Sequence, residues 1–329
     1  MDRRTFVNGF ALCLIVLPCA VDAAQSSKTY RIGWLSPGSP ETHKTLLLAF
    51  QDGLRKNGLI DGQNISIEYR WAEGALNRLP QLAAELVELK PDVIVTAPAS
   101  SGVIVRRFTS TIPIVLATAG DPVGAGLAES LSRPGGNVTG LSNISTHLVA
   151  KQLELLKSML PEASKIGVLV KTADSPLGLG ERNEAIAAAK RLGLRLQFIE
   201  MDSAENFDRA FAEIGKASLH GLLVTTDPLL FVLRAKILVS VATMHLPAMY
   251  GLREFPDGGG LLSYGVSLRE SFRQAASYVE KILKGSKPGD LPIEQPTTYE
   301  LVINLKTAKA LRLTIPPSLL LRADQIIDA

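Results

Sequence analysis

Short apolar runs alternate with amphipathic stretches from residue 30 onward. The first amphipathic stretch places Leu46, Phe50 and Leu54 on one helical face and ends at Gly58. Residues 92–96 have an apolar centre, which is typical of a strand with both faces covered in a parallel sheet. The strands predicted in this part of the chain are 30–35, 65–71, 92–96, 112–117 and 138–141. With helices between them, these strands predict a doubly wound parallel α/β sheet.

The same alternation restarts at residue 165 and predicts a second α/β unit of similar size. Its strands are predicted at 166–170, 195–200, 221–225 and 247–250. Two further strand–helix pairs follow, at 261–284 and at 299–311, with a proline-rich link between them. A chain with such a surplus is expected to cross back to the first unit and return. The sequence therefore predicts two doubly wound, Rossmann-like lobes joined by three hinge crossings.

The predicted crossings set the lobe boundaries. We place the crossings at Ser142-Asn143, Leu262-Ser263 and Pro296-Thr297. Lobe 1 is then predicted to contain residues 28–142 and 262–295, and lobe 2 to contain residues 143–261 and 296–329. Several crossings between two lobes are typical of a hinge that closes on a ligand.

The composition is that of an ordinary globular protein. Of 329 residues, 46% are hydrophobic and 20% are charged, with a formal net charge of +3, which excludes a disordered or low-complexity scaffold. The length is enough for two domains that each bury a core. Basic residues are dispersed in runs no longer than two, and aromatic residues make up only 5% of the chain. We therefore expect no nucleic-acid partner.

Residues 1–23 have the pattern of a cleavable signal peptide. Arg3 and Arg4 precede an apolar run at 10–21, and small residues follow, so cleavage is expected after Ala23. The apolar run is shorter than the ~20 residues that span a bilayer. The interpretation we favour is export to the periplasm as a soluble protein.

The same segment leaves other interpretations open. Its start resembles a twin-arginine export signal, with departures from the usual pattern at Asp2 and Asn8. A lipid anchor on Cys19 is a second possibility, which Pro18 disfavours, and a retained N-terminal anchor is a third. Because Cys13 and Cys19 are the cysteines of this chain, the mature protein is expected to have no thiol for a disulfide, a nucleophile or a metal.

The motifs of known enzymes yield no convincing catalytic set. The phosphate-binding loop that ends in Gly-Lys-Ser/Thr is missing. A dinucleotide fingerprint beginning at Gly124 has Glu129 in place of its third glycine, and a nucleophile elbow at Ser263 has Leu261 in place of its first. The histidines, whose spacing fits no metal site, are interpreted as surface or helix-end residues: His43, His147, His220 and His245. The sequence therefore predicts no enzyme, no cofactor and no metal site.

Small hydroxyl and carboxylate side chains recur just after the predicted strands. Open α/β sheets bind their ligands at this edge, beyond the carboxyl ends of the strands. The segments concerned are 36–38, 97–101, 118–122, 171–175, 225–228 and 250–251. Taken singly, Ser100, Asp121 and Asp227 can equally be helix N-caps. Their recurrence favours a small polar ligand held by hydrogen bonds, with an anionic group at a helix N-terminus.

Two glycine-rich motifs follow one another before the fifth predicted strand. They are Asp-Pro-Val-Gly-Ala-Gly-Leu at 121–127 and Arg-Pro-Gly-Gly-Asn-Val-Thr-Gly at 133–140. Weaker matches lie at 50–64, 97–99, 283–288 and 304–316. Together these segments resemble a family of bacterial ABC-transporter substrate-binding proteins, whose better-known members take up aromatic amino acids such as tryptophan. The resemblance covers about residues 29–328 and implies a type I periplasmic-binding-protein fold, with the ligand between two lobes.

The resemblance also implies a set of ligand-binding residues. Carried over position by position, the set is Ser36, Ser100, Ser101, Thr118 and Asp121 in the first lobe and Thr172, Asp227 and Tyr250 in the second. No aromatic cage is evident in the second lobe. We expect a carboxylate of the ligand at the start of the helix that Ser100 and Ser101 open. An amine or hydroxyl is expected at Asp121 or Asp227.

These inferences favour a periplasmic solute-binding component of an ABC uptake transporter. Its expected ligand is small and polar or amino-acid-like, such as an aromatic amino acid or another carboxylate. Its expected partners are the permease and ATPase subunits in the membrane. A periplasmic sensory protein that presents its ligand to a receptor is an alternative. A cleft enzyme such as a hydrolase or transferase is a weaker one, because neither a nucleophile nor a base is evident.

Overall fold

Two sheets, each between layers of helices, organise the chain into two α/β lobes. The computed structural model describes residues 28–143, 148–171, 176–297 and 299–328, so the predicted signal peptide lies outside the described residues. The predicted fold class, α/β with two doubly wound lobes, is confirmed. Within the described ranges, no helix is both long enough and apolar enough to cross a membrane.

The first sheet is wholly parallel. Its strands are β1 (Tyr30–Ser36), β2 (Ile65–Trp71), β3 (Val93–Thr96), β4 (Ile114–Leu116) and β5 (Val138–Gly140). They lie in the spatial order β2-β1-β3-β4-β5, so the chain winds outward in both directions from the first strand pair. The central strand β3 is buried along its whole length, as its apolar sequence predicts.

The second sheet contains seven strands of the described chain. They are β6 (Lys165–Val170), β7 (Arg195–Glu200), β8 (Gly221–Val224), β9 (Ala248–Tyr250), β10 (Leu262–Gly265), β11 (Glu300–Asn304) and β12 (Gln325–Ile327). Their spatial order is β12-β11-β10-β9-β8-β6-β7. The pair β10–β11 is antiparallel and the other pairs are parallel, so this sheet departs from the wholly parallel arrangement at one pair.

Helices cover both faces of each sheet. They are α1 (Lys44–Lys56), α2 (Leu79–Glu88), α3 (Ala99–Arg106), α4 (Leu148–Met159), α5 (Pro176–Leu192), α6 (Phe207–Lys216), α7 (Pro228–Val232), α8 (Arg234–Thr243), α9 (Glu254–Asp257), α10 (Leu268–Leu283), α11 (Leu305–Ala310) and α12 (Pro317–Leu320). Helices α4, α7, α8, α9 and α12 and the edge strand β12 are absent from the sequence prediction. Several of them are short, so tertiary packing rather than a long periodic pattern stabilises them.

Helix α10 belongs to the first lobe, although its neighbours in sequence belong to the second sheet. It packs against α1 and against β3, β4 and β5. Gly53 permits the close contact with α1, because a Cβ there would lie 2.4 Å from the carbonyl oxygen of Arg273. Phe50 and Phe272, from the two helices, both pack against Trp34 of β1.

The chain passes between the two sheets three times in the described structure. Strand β10 pairs with β9 and β11 in the second sheet, so the predicted boundary at residue 262 differs from the structure. The passage to the first lobe comes after Gly265, because the strand and its following helix belong to different lobes. The segments at the other two passages run side by side, where the backbone N–H of Ser142 donates to the carbonyl of Glu294 at 2.9 Å.

Candidate functional site

A cavity of about 170 Å³ lies between the two lobes. Residues that follow strands β1, β3 and β4 form one wall, and residues that follow β8 and β9 form the other. The cavity is therefore at the carboxyl ends of both sheets, where the sequence predicts a site. Its volume is comparable with the ~150 Å³ of an engineered protein cavity that holds one benzene molecule.

Most of the cavity wall is apolar. Phe231 of α7 and Phe272 of α10 bring aromatic rings to it from opposite lobes. The ring of His43 lies edge-on to Phe231, with 5.4 Å between the ring centroids. Phe272 also packs on Trp34, at 5.8 Å between centroids, which fixes its ring from behind. The sequence showed no aromatic cage, and the structure brings together rings that lie far apart in the chain.

The first lobe contributes a hydroxyl group to the cavity. Thr118, just beyond β4, lines the cavity, and its Oγ1 is buried without a hydrogen-bond partner in the described structure. A buried hydroxyl without a partner costs free energy. A ligand that hydrogen-bonds to Thr118 therefore removes this penalty.

The second lobe contributes two carboxyl groups. Asp227 is the N-cap of α7, where its Oδ1 accepts a hydrogen bond from the backbone N–H of Leu229 at 2.7 Å. Glu181 reaches the same cavity from α5. Burial and, to a smaller extent, the nearby Asp227 carboxylate together raise the pKa of Glu181 to about 7. Burial also raises the pKa of Asp227, against the opposing effects of its backbone hydrogen bonds and of Lys171.

The histidine in the wall is neutral at physiological pH. His43 is only 7% exposed, and burial together with the nearby Arg234 guanidinium lowers its pKa to about 4. Its Nδ1 lies 3.0 Å from Oγ1 of Thr42. His43 therefore contributes a neutral imidazole ring to the wall and supplies no positive charge to a ligand.

A hydrogen bond joins the two lobes beside the cavity. Arg234 of α8 donates through Nη2 to the carbonyl oxygen of Thr42 at 2.6 Å. Within its own lobe it donates through Nη1 to the carbonyl oxygen of Phe231 at 3.0 Å. Its guanidinium also lies over the Phe231 ring, 4.5 Å from the centroid. Arg234 thus contacts both an aromatic residue of the cavity wall and the opposite lobe.

Two of the eight residues predicted to bind ligand line this cavity together, Thr118 and Asp227. Asp121 does not line it; its Oδ1 accepts a hydrogen bond from the backbone N–H of Gly124 at 2.8 Å, so it caps its own turn. Ser36 is buried, and its Oγ accepts from the N–H of Gly38 at 3.3 Å.

The serines of α3 do not line the cavity. Ser100 is exposed, and Ser101 is fully buried with its Oγ unpartnered among the described residues. The preceding residues, Ala97 and Pro98, line the cavity instead. The segment just before α3 thus forms part of the cavity wall.

Tyr250 lies in the core of the second lobe. It is 1% exposed and stacks on Phe255 with 4.5 Å between the ring centroids. It lines a separate cavity of about 120 Å³ beneath α8 and α11. Thr172 lies outside the described residues.

Several cavity residues have no signal in the sequence. Glu181 sits in the middle of a polar stretch, and Phe231 and Phe272 are single aromatic residues in helices. His43 was predicted at a helix end, and it does precede α1, but it is buried rather than exposed. Only their position in the folded chain distinguishes these residues from others of the same type.

The fold and the cavity define a two-lobed binding protein of the type I periplasmic-binding-protein class. The chain belongs to the family described as ABC transporter substrate binding protein, whose model matches residues 41–327. This is a family of substrate-binding proteins, so the expectation of a binding protein rather than an enzyme is confirmed by family membership.

Characterised relatives and solved structures resemble most of the chain. A tyrosine-binding protein of Clostridioides difficile is 29% identical over 266 residues, which cover 80% of this chain and 75% of the relative. An ABC domain from Streptococcus pneumoniae in complex with L-tryptophan is 26% identical, with a TM-score of 0.82 over 91% of this chain and 100% of that one. A conserved domain protein from Vibrio cholerae is 27% identical, also with a TM-score of 0.82 over 91% and 100% of the two chains.

Proposed function

We propose that this protein is the exported, periplasmic solute-binding component of an ABC uptake transporter. Family membership supports the binding role, and the signal-like residues 1–23 support export. The protein would capture its ligand between the lobes and deliver it to permease and ATPase subunits in the membrane. The three passages of the chain between lobes would then act as the hinge.

The ligand we propose is an amino acid with an aromatic or apolar side chain. The observation that carries this proposal is the combination, in one cavity, of rings from Phe231 and Phe272 with the carboxyl group of Asp227. An ammonium group suits the carboxylate, and a ring suits the apolar wall. The ligand carboxylate would bind Thr118 Oγ1 and backbone N–H groups near the start of α3. The relatives named for tyrosine and bound to L-tryptophan support this class.

Two measurements test the ligand class. Native mass spectrometry of freshly purified protein should reveal a retained mass equal to that of an amino acid. Calorimetry with L-tyrosine, L-tryptophan and D-ribose should show binding of at least one amino acid and none of the sugar. A retained sugar, or binding of ribose alone, would contradict the proposed ligand class.

A pair of variants tests the site. Asp227→Asn removes the charge but keeps the N-cap, because Asn and Asp cap helices about equally well. It should weaken amino-acid binding by roughly ten- to a hundredfold, which corresponds to a lost charge-assisted hydrogen bond of about 1.5–3 kcal/mol. Ser100→Ala, an exposed position outside the cavity wall, is the matched control and should bind as the unchanged protein does. Equal affinities for both variants would place the ligand elsewhere.

A further inference from the structure

Two carboxyl groups face one small, largely apolar cavity. Glu181 comes from α5 and Asp227 from the start of α7, and both line the cavity. Burial raises the pKa of each carboxyl group, and the Asp227 carboxylate also raises that of Glu181. Two carboxylates in one poorly hydrated site do not ionise together readily, because their charges repel and neither is well solvated.

The cationic side chains around this pair leave Glu181 without a partner among the described residues. The positive charge of Lys171, just beyond β6, lowers the pKa of Asp227. On α5, the neighbouring Arg182 pairs with Glu200 of β7 at 2.7 Å. His43, on the opposite lobe, is neutral. Arg234, on the same lobe as the pair, donates to the carbonyl groups of Thr42 and Phe231.

We propose that Glu181 and Asp227 share one proton in the empty cavity, and that a ligand ammonium group takes the place of this proton, so that binding releases a proton to solvent. This inference rests on the proposed function, since it needs a ligand that carries an ammonium group. In the exchange, the O–H bond of the protonated carboxyl group breaks, the proton leaves with water, and the ammonium N–H groups donate to the two carboxylates. The net charge of the site is the same before and after.

Glu181 is accordingly a specificity-determining residue. A single carboxylate such as Asp227 balances one ammonium group. The second carboxyl group adds another hydrogen-bond acceptor, and it makes affinity depend on pH. Ligands without an ammonium group, such as sugars or the deaminated acid 3-(4-hydroxyphenyl)propanoate, cannot displace the proton, and for them the pair stays protonated.

Proton release follows from the pKa of Glu181 in the empty site. With that pKa at about 7, binding of an ammonium ligand should release about 0.9 proton at pH 6 and about 0.1 at pH 8. The empty site holds the proton at low pH, so the ligand must compete with the proton there. The affinity for L-tyrosine or L-tryptophan should therefore be about tenfold weaker at pH 6 than at pH 8.

Calorimetry in two buffers of different ionisation enthalpy, phosphate and Tris, measures the released proton directly at each pH. Glu181→Gln should bind the same amino acid with no proton release and with an affinity that is constant between pH 6 and pH 8. Glu184→Gln, an exposed position on the same helix, is the control and should behave as the unchanged protein does. Binding without proton release in the unchanged protein, or full release in Glu181→Gln, would overturn the inference and leave the proposed ligand class intact.

A ligand-free measurement separates this inference from the proposed function. Because the folded state holds the proton on Glu181 more tightly than the unfolded chain does, its contribution to stability decreases as pH rises from about 4.5 to about 7. Glu181→Gln removes this dependence. The Tm of Glu181→Gln minus that of the unchanged protein should therefore increase from pH 5 to pH 8. A constant difference would refute the shared proton, even if none of the tested amino acids binds.

Discussion

Removal of the Arg234 side-chain charge should weaken ligand binding more than it weakens the fold. Among the described residues, Arg234 makes one hydrogen bond to the opposite lobe, at 2.6 Å to the carbonyl oxygen of Thr42. Its other contacts, to the Phe231 ring and carbonyl group, lie within its own lobe. If the cleft closes over ligand as proposed, the hydrogen bond to Thr42 forms in the closed arrangement, and its loss should therefore lower affinity.

The magnitude follows from that single bond. A hydrogen bond from a charged group contributes about 1.5–3 kcal/mol net, and the partly exposed guanidinium of Arg234 favours the lower end. A loss of about 1.5 kcal/mol corresponds to roughly a tenfold rise in Kd. We therefore expect Arg234→Gln to bind L-tyrosine or L-tryptophan about tenfold more weakly. The ligand-induced compaction in small-angle scattering should also be smaller.

The control is Lys236→Gln on the same helix. Lys236 carries the same charge and lies over the Phe207 ring, 4.5 Å from the centroid, but has no described contact with the first lobe. It should leave affinity unchanged while it lowers the Tm by a similar small amount. Equal affinities for Arg234→Gln and Lys236→Gln, or a loss of stability without a loss of affinity in Arg234→Gln, would contradict a role for Arg234 in closure.

Thr118→Val removes the unpartnered hydroxyl, so it should raise the free energy of unfolding by up to about 1 kcal/mol while it weakens amino-acid binding. A loss of stability with unchanged binding would show that the hydroxyl has a partner in the fold. Burial raises the pKa of Glu254 to about 7, so stability should fall as pH rises from about 4.5 to about 7, by an amount on the order of 3 kcal/mol. Urea titrations of Glu254→Gln should lack this fall, and parallel stability–pH profiles of the variant and the unchanged protein would contradict it. Gly53→Ala should lower the Tm, because the new Cβ would collide with α10. Gly215→Ala should instead raise stability by up to about 1 kcal/mol, because the new Cβ would meet only Met244, at 3.8 Å. A change of the same sign in both variants would contradict the close packing of α1 on α10.

The sequence by itself determined the local elements and the general place of the site. Apolar periodicity predicts the main strands and helices because each pattern repeats over the length of one element. The recurrence of hydroxyl and carboxylate groups after strands predicts a site at the carboxyl edge, because parallel strands share the direction of their ends. Thr118 and Asp227 fit that prediction, and the lobe architecture follows from the alternation of strands and helices.

The tertiary structure decided which of these residues meet. Asp121 and Asp227 look alike in sequence, yet Asp121 caps a turn away from the cavity, whereas Asp227 caps a helix whose start forms the cavity wall. Helix α10 crosses to the first lobe because its apolar face fits α1 at Gly53, a contact between segments more than 200 residues apart. Glu181 and the aromatic wall meet for the same reason: long-range packing orients their side chains, and no local pattern encodes the direction in which a single side chain points.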